Sequence, residues 1–392
     1  MAAAPQDSPA TLLSLKHLDA ERLSVVTLAL ENILSLPDVE LTYAQIVDGL
    51  PLRKVYVESR GFVPTIVSEH ESLCDGALDR VRDARSKLDM NTLFFPQTAL
   101  ERYAHARAGS VAFCLCLLEL LAVACHQIGA TLYEWSDADA LHSRASVLAA
   151  IGHELDANRR NRVFHPSNLP KHTHFYHHSY IYQDQYPRGV ADMVGYWAET
   201  RIFGGVAVFD RGRSGDANGG VYFHSDRHSY GTSLYPPTED QLKALMAFFT
   251  STTVTATATA TAAALPPEAC PLPVVSTSAN RWRWDAGFAF LHWNIFRDRY
   301  ERNVSPTYRP YRHKMPASTW PEVGDDNEIF RQFVIEHDGL EPVDHAAIAT
   351  AKENLKKITP TSPKWRGPMP SMDEPNPPWK PPYYHDLARQ LE

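Results

Sequence analysis

Cysteine, net charge of one sign and long apolar runs are all scarce in this chain, and each scarcity excludes a class of protein. Only five cysteines occur among 392 residues, an odd and dispersed set: Cys74, Cys114, Cys116, Cys125 and Cys270. No disulfide framework or all-cysteine zinc module is encoded by such spacing. Three of the five fall inside one apolar stretch, where a free thiol packs as a small hydrophobe. That usage implies a reduced, cytoplasmic setting. Lysine and arginine never form a block, and the formal net charge is −8, so no nucleic-acid surface is expected. The longest apolar run, Val111–Cys125, falls short of the ~20 residues of a bilayer span and carries Glu119 in its middle. It reads as a buried core helix, with no membrane partner. Met1–Asp7 lacks the basic, apolar, small-residue order of a signal peptide. Phosphate-cradling and nucleophile-elbow motifs are missing as well.

What the chain has is apolar residues, 44% of the total, enough for one large core. The first 160 positions read as mostly helical. Val25, Leu28, Leu30, Ile33 and Leu34 share a helical face that Pro37 stops, and Thr42 reads as the N-cap of a short helix ended by Gly49. A short strand is expected over Lys54–Glu58, then a charged helix over Thr65–Leu88 and helices near Thr98–Gly129 and Asp137–Asn158. From Phe164 the pattern turns β-like. His172–Tyr182, Val190–Glu199, Arg201–Asp210 and Val221–His228 are rich in aromatic and β-branched residues and predict a four-stranded antiparallel meander. Thr238 then caps a helix to Phe249. Thr250–Ala264 is a Ser/Thr/Ala tract of low complexity. Further helices are expected around Trp284–Arg302, from Ile329 to Gly339, and from Asp344 to Ile358, before a proline-rich tail. The fold class is therefore α+β, a helical N-terminal half and C-terminal helices around a central antiparallel sheet. The expected organisation is a single large domain over 1–358, with the sheet and its following helix at 164–249 and a flexible insertion at 250–267. Positions 359–392 form the tail.

Histidine carries the strongest chemical signal. Seven of eighteen histidines lie between His142 and His178, four of them in His172-Thr-His174-Phe-Tyr-His177-His178. On a strand, His172, His174 and His178 would share a face, with His177 pointing away. This pair-then-third spacing resembles that of cupin-type metal sites, with His178 where that family more often has glutamate. The resemblance implies a fourth histidine from a later strand, His224 or His228, and a first-row divalent ion, iron or zinc. The same histidines read equally as packed or solvated side chains. His224-Ser225-Asp226 with His292 and Arg302 resembles the facial triad of iron(II)/2-oxoglutarate oxygenases, although the apolar spacing of Trp284–Arg302 puts His292 on a helix rather than a strand.

Glu119 needs a partner inside its apolar run; an arginine or histidine on a neighbouring helix is the structural answer, and proton transfer the chemical one. Glu119 and His178 are accordingly the candidate catalytic residues, and His172, His174, His178 and His224 the candidate ligands. Asp325-Asp326-Asn327-Glu328 reads as the acidic start of a helix rather than a cation site. Tyr180–Pro187, Gly189–Glu199 and Ile202–Arg211 together resemble segments of an uncharacterised protein family of filamentous fungi, some encoded near natural-product pathways. That resemblance implies a biosynthetic setting and no mechanism. The expected function is a soluble enzyme acting on a small-molecule substrate, a metal-dependent oxygenase or lyase. The alternative is a non-catalytic binding protein using its aromatic sheet and tail. Oligomeric state is not encoded legibly.

Overall fold

The apolar run around Glu119 belongs to a 25-residue helix, Val111–Trp135, buried on every side for most of its length. A helix apolar all round has nowhere stable to sit but a core, and the other elements of this computed structural model are arranged about it. The structure describes residues 11–60, 63–136, 142–161, 172–227, 233–252, 270–298, 317, 319–339 and 341–367, with the helix at 144–161 described by its backbone and only part of its side chains.

In chain order the α-helices are α1 (Ala20–Leu34), α2 (Pro37–Asp48), α3 (Arg53–Tyr56), α4 (Thr65–Ser68), α5 (Ala77–Ser86), α6 (Gln97–His105), α7 (Val111–Trp135), α8 (Arg144–Asn161), α9 (Val190–Phe203), α10 (Glu239–Phe249), α11 (Ala286–His292), α12 (Pro321–Asp338) and α13 (His345–Leu355). Strands β1 (Leu12–Ser14) and β2 (Phe94–Pro96) form an antiparallel pair. β3 (Val206–Asp210), β4 (Val221–His224), β5 (Leu234–Tyr235) and β6 (Ile295–Phe296) form a four-stranded antiparallel sheet in the order β5-β4-β3-β6. Helices α1, α2, α6 and α9 pack on α7, and β3 lies against both α7 and α9. The fold is α+β, as expected, with the sheet joined to the helical body through β3 on α7 and α9 and β6 on α11.

Several expectations change. His172–Tyr182 is not a strand but a run of turns, and Val190–Glu199 is the first part of a buried helix, α9. Both segments are aromatic-rich, and dense burial on all sides erases the period that separates strand from helix. The sheet recruits Leu234–Tyr235 and Ile295–Phe296 instead. Lys54–Glu58 is mostly the short helix α3. α1 ends at Leu34 ahead of Pro37 as expected, but Pro37 also starts α2 at its first position, so Thr42 lies inside α2 and donates its hydroxyl to the Asp38 carbonyl. The 65–88 helix breaks between Ser68 and Ala77, which frees His70 and Cys74 from helical geometry. Thr238 caps α10 with a reciprocal bond from Gln241, and Asp344 caps α13 as expected.

The expected tail begins by packing: Thr359, Thr361 and Ser362 are buried, with Ser362 bonded to Glu322 and Lys364 to Asp326 of α12. Most of the low-complexity insertion, the rest of the tail, His228 and Arg302 lie outside the described residues.

Candidate metal centre

The expected histidine ligands do not meet. His224 sits on β4 with Nδ1 bonded to the Tyr180 hydroxyl at 3.1 Å. His178 is exposed and stacks on His177, its ring 6.1 Å from that of His224. His174 is buried edge-on to Tyr56, its Nε2 without a hydrogen-bond partner, and burial pushes its pKa down to about 4. His172 lines a cavity elsewhere, beside His142. Without a strand at 172–182, the alternation that would have aligned His172, His174 and His178 is lost. His177, His178 and Asp226 do bring ligand atoms within 4.8 Å of one another. Yet His177 accepts the Ser179 amide at Nδ1, 3.1 Å, and donates Nε2–H to the His224 carbonyl at 3.0 Å, so both ring nitrogens are already used.

Glu119 is equally committed. Its two oxygens lie 3.0 Å from one Arg102 nitrogen, Arg211 donates at 2.7 Å, and the Asn218 amide at 2.9 Å. Burial alone would raise its pKa, but the two guanidiniums hold it down at about 2. The arginine and amide partners are the structural answer that a carboxylate inside an apolar run needs, and no described contact gives Glu119 a proton-transfer partner. His292 is the last residue of α11, on a helix rather than a strand, and Asp226 is bonded to Ser59 and paired with Arg60, which gives the oxygenase triad no support.

A different quartet converges. Asp48, His70, Cys74 and His142 place one ligand atom each within 4.8 Å of all the others. Asp48 is the last residue of α2, and Gly49 follows in the left-handed conformation, φ 91°. A β-carbon at Gly49 would stand 2.5 Å from the His142 carbonyl oxygen, so glycine is what lets the His142 strand of chain approach. The His142 amide in turn donates to the Asp48 carbonyl at 3.3 Å.

The α4–α5 break contributes the other two groups. His70 Nδ1 faces the Pro51 carbonyl at 3.1 Å, which turns Nε2 toward Asp48 Oδ2 at 3.0 Å. The Cys74 amide donates to the same oxygen at 3.1 Å, and Cys74 Sγ lies 3.5 Å from His142 Nε2. The rings of His70 and His142 meet edge to face at 4.8 Å. Asp48 Oδ1 is buried and has no hydrogen-bond partner.

The electrostatics favour positive charge beside Asp48, and a protonated His70 supplies some of it. A carboxylate at a helix C-terminus opposes the helix dipole, and burial adds to the cost. Burial would raise the Asp48 pKa; the His70 and Cys74 bonds outweigh it and keep the carboxylate ionised. Burial would lower the His70 pKa, and the Asp48 and Pro51 contacts raise it instead. Burial, then Asp48, raises the Cys74 thiol, while burial and His70 lower His142. Around a tetrahedral zinc, ligand atoms stand about 3.4–3.8 Å apart; the 3.5 Å Cys74–His142 contact matches that, and the 3.0 Å His70–Asp48 contact is a hydrogen bond that an ion would have to lengthen. An S, N, N, O set suits borderline first-row ions and not magnesium or calcium.

Beside the quartet, Tyr133, Ser136, His142, Arg144, His172 and Thr173 are among the residues lining a cavity of about 10 Å³, room for one water. The sequence carried one usable signal, the i, i+4 pair His70 and Cys74 ahead of Asp75-Gly76. Asp48 and His142 come from distant elements and have no local spacing to betray them.

Neither protein-family models, curated proteins nor solved structures give a match to this chain.

Proposed function

We propose that the protein is a metal-dependent enzyme acting on a small organic molecule, with a first-row divalent ion held by Asp48, His70, Cys74 and His142. The observation that carries this reading is the buried, unpartnered Asp48 Oδ1 within a group of four convergent ligand atoms. Asp48 and His70 are buried and fixed by other contacts, whereas Cys74 and His142 are only half-buried. An ion there would be anchored from within and approached from the Cys74–His142 side. The Pro51 carbonyl on His70 Nδ1 is the outer contact that commonly orients a ligating imidazole.

Elemental analysis after purification at neutral pH tests the site. Wild type is expected to retain zinc or iron near one equivalent, Asp48→Asn and Cys74→Ser to lose it, and His174→Ala and His177→Ala to keep it. Metal-free wild type that also fails to take up zinc from buffered solution would end the proposal.

A second reading follows from the ligand count. Four protein ligands complete a tetrahedron, and closed sites are structural rather than catalytic. Cobalt substitution separates the two: added azide should shift the visible bands of an open centre and leave a closed one unmoved.

A further inference from the structure

The five cysteines differ in what surrounds them. Cys114, Cys116 and Cys125 are buried on α7, and burial pushes each thiol up to about 12, which leaves them protonated near neutrality. Cys270 is half-buried and donates its thiol to the Leu272 carbonyl at 3.3 Å. Cys74 is half-buried too, but its sulfur faces an imidazole, His142 Nε2 at 3.5 Å, and is the sulfur of the Asp48 quartet. A metal binds cysteine as thiolate and displaces the thiol proton. An ion on this quartet would therefore make Cys74 an anionic, nucleophilic sulfur on the less buried side of the site.

The frame around that sulfur is built from protein hydrogen bonds. The His70 carbonyl accepts from the Arg53 amide at 2.9 Å, and His70 Nδ1 faces the Pro51 carbonyl at 3.1 Å. The Cys74 carbonyl accepts from the Ala77 amide at 3.2 Å, and the Cys74 amide donates to Asp48 Oδ2 at 3.1 Å. The His142 amide is tied to the Asp48 carbonyl at 3.3 Å. Losing the sulfur as a ligand would leave Asp48, His70 and His142 in place, so the site could empty and refill without refolding.

Resting on the metal reading above, we propose that Cys74 is a redox-sensitive ligand through which a hydroperoxide reversibly empties the centre. An electron pair of the thiolate attacks the peroxide; the S–O bond forms as the O–O bond breaks, sulfur is oxidised to the sulfenic acid, and hydroxide leaves. A sulfenic acid no longer supplies the thiolate that a borderline ion prefers, and three remaining ligands hold the ion less tightly. Thiols reverse the step. One thiol expels water from the sulfenic acid to form a mixed disulfide, and a second releases the Cys74 thiol and departs as the symmetrical disulfide.

The full chain loaded with zinc, its content fixed by elemental analysis, tests the switch. It is exposed to a modest excess of hydrogen peroxide while a chromogenic chelator reads free zinc against an untreated control. The bound zinc should be released, dimedone should trap the sulfenic acid at Cys74, as located by mass spectrometry, and reduced glutathione with fresh zinc should restore the content. Cys270→Ser should release zinc at the wild-type rate. Cys74→Asp, which offers a ligand that peroxide does not oxidise, should keep its zinc through the same treatment. Protein that takes up no zinc before peroxide overturns the metal reading and the switch with it. Protein that holds zinc and keeps it through peroxide overturns the switch alone. Should Cys74→Asp fail to bind zinc, the wild type decides: a dimedone adduct elsewhere, or zinc that glutathione does not restore, overturns the assignment.

Discussion

Glu119 and His126, both on α7, show what a buried ionisable side chain requires. Glu119 draws two guanidiniums and an amide from two other segments, α6 and the β3–β4 connection. Its need for a partner is legible in the sequence, because a carboxylate inside an apolar run cannot stand alone; the partners Arg102, Arg211 and Asn218 are not, because nothing local ties them to it. Glu119→Gln should therefore destabilise by roughly 3–5 kcal/mol, leaving guanidiniums buried without their anion. Denaturant unfolding checks this, and a loss below about 1 kcal/mol would show that the arginines re-pair at little cost. His126 bridges two carboxylates of α9, Nε2 to Asp192 at 3.0 Å and Nδ1 to Glu199 at 2.9 Å, while Arg297 also contacts Glu199. Burial would lower the His126 pKa; the two carboxylate bonds outweigh it, against opposition from Arg297, and raise it above 6.5. A raised histidine pKa contributes stability that is complete below the unfolded value and lost as pH climbs through the folded one. Wild-type stability should thus fall relative to His126→Gln as pH rises from 6.5. A constant difference across that range would mean that folding leaves the imidazole pKa unshifted.

At the scale of elements, the sequence announces helices by period and caps and misleads where burial is complete. α10 and α13 are legible because Thr238 and Asp344 cap them and one face of α10 stays wet. α9 is not, since nearly every residue from Ala191 to Phe203 is buried and its β-favouring side chains look like a core strand. The Asp48 quartet is obscured for a different reason: Asp48 and His142 lie far in sequence from the His70 and Cys74 pair, and only the fold brings them together. Close packing of α7 on α9 has a specific basis. A β-carbon at Gly195 would lie 2.7 Å from ring atoms of His126, so glycine is what lets the imidazole sit between Asp192 and Glu199. Gly195→Ala improves helix propensity by about 1 kcal/mol yet should destabilise overall by roughly 1–3 kcal/mol through overpacking. A thermal scan decides the sign, and a stabilised Gly195→Ala would show that the ring can move aside without losing its carboxylates.

Across the whole molecule, burial is uneven, and stability should follow it. α7 is enclosed by α1, α2, α6, α9 and β3. The α12–α13 hairpin packs chiefly on itself: Gln332 and Ala351 are buried, while Phe330 and Phe333 are 67% and 61% exposed. Polar contacts hold the hairpin together, with Asn354 bonded to Asp325 at 3.0 Å and the Asp344 amide to Gln332 at 2.8 Å. Its root is tied to the body by Thr319, whose carbonyl accepts from Arg283 and Ser233, both at 3.0 Å. Segments with little buried apolar surface open locally at a fraction of the global free energy. Native-state hydrogen exchange should therefore find the amides of α12 and α13 exchanging orders of magnitude faster than those of α7, through an opening insensitive to low denaturant. Adding zinc should slow exchange in α2 and in the α4–α5 break, where the proposed ligands lie, and leave the hairpin unchanged. Protection of the hairpin equal to that of α7 would mean that Phe330 and Phe333 are covered in solution.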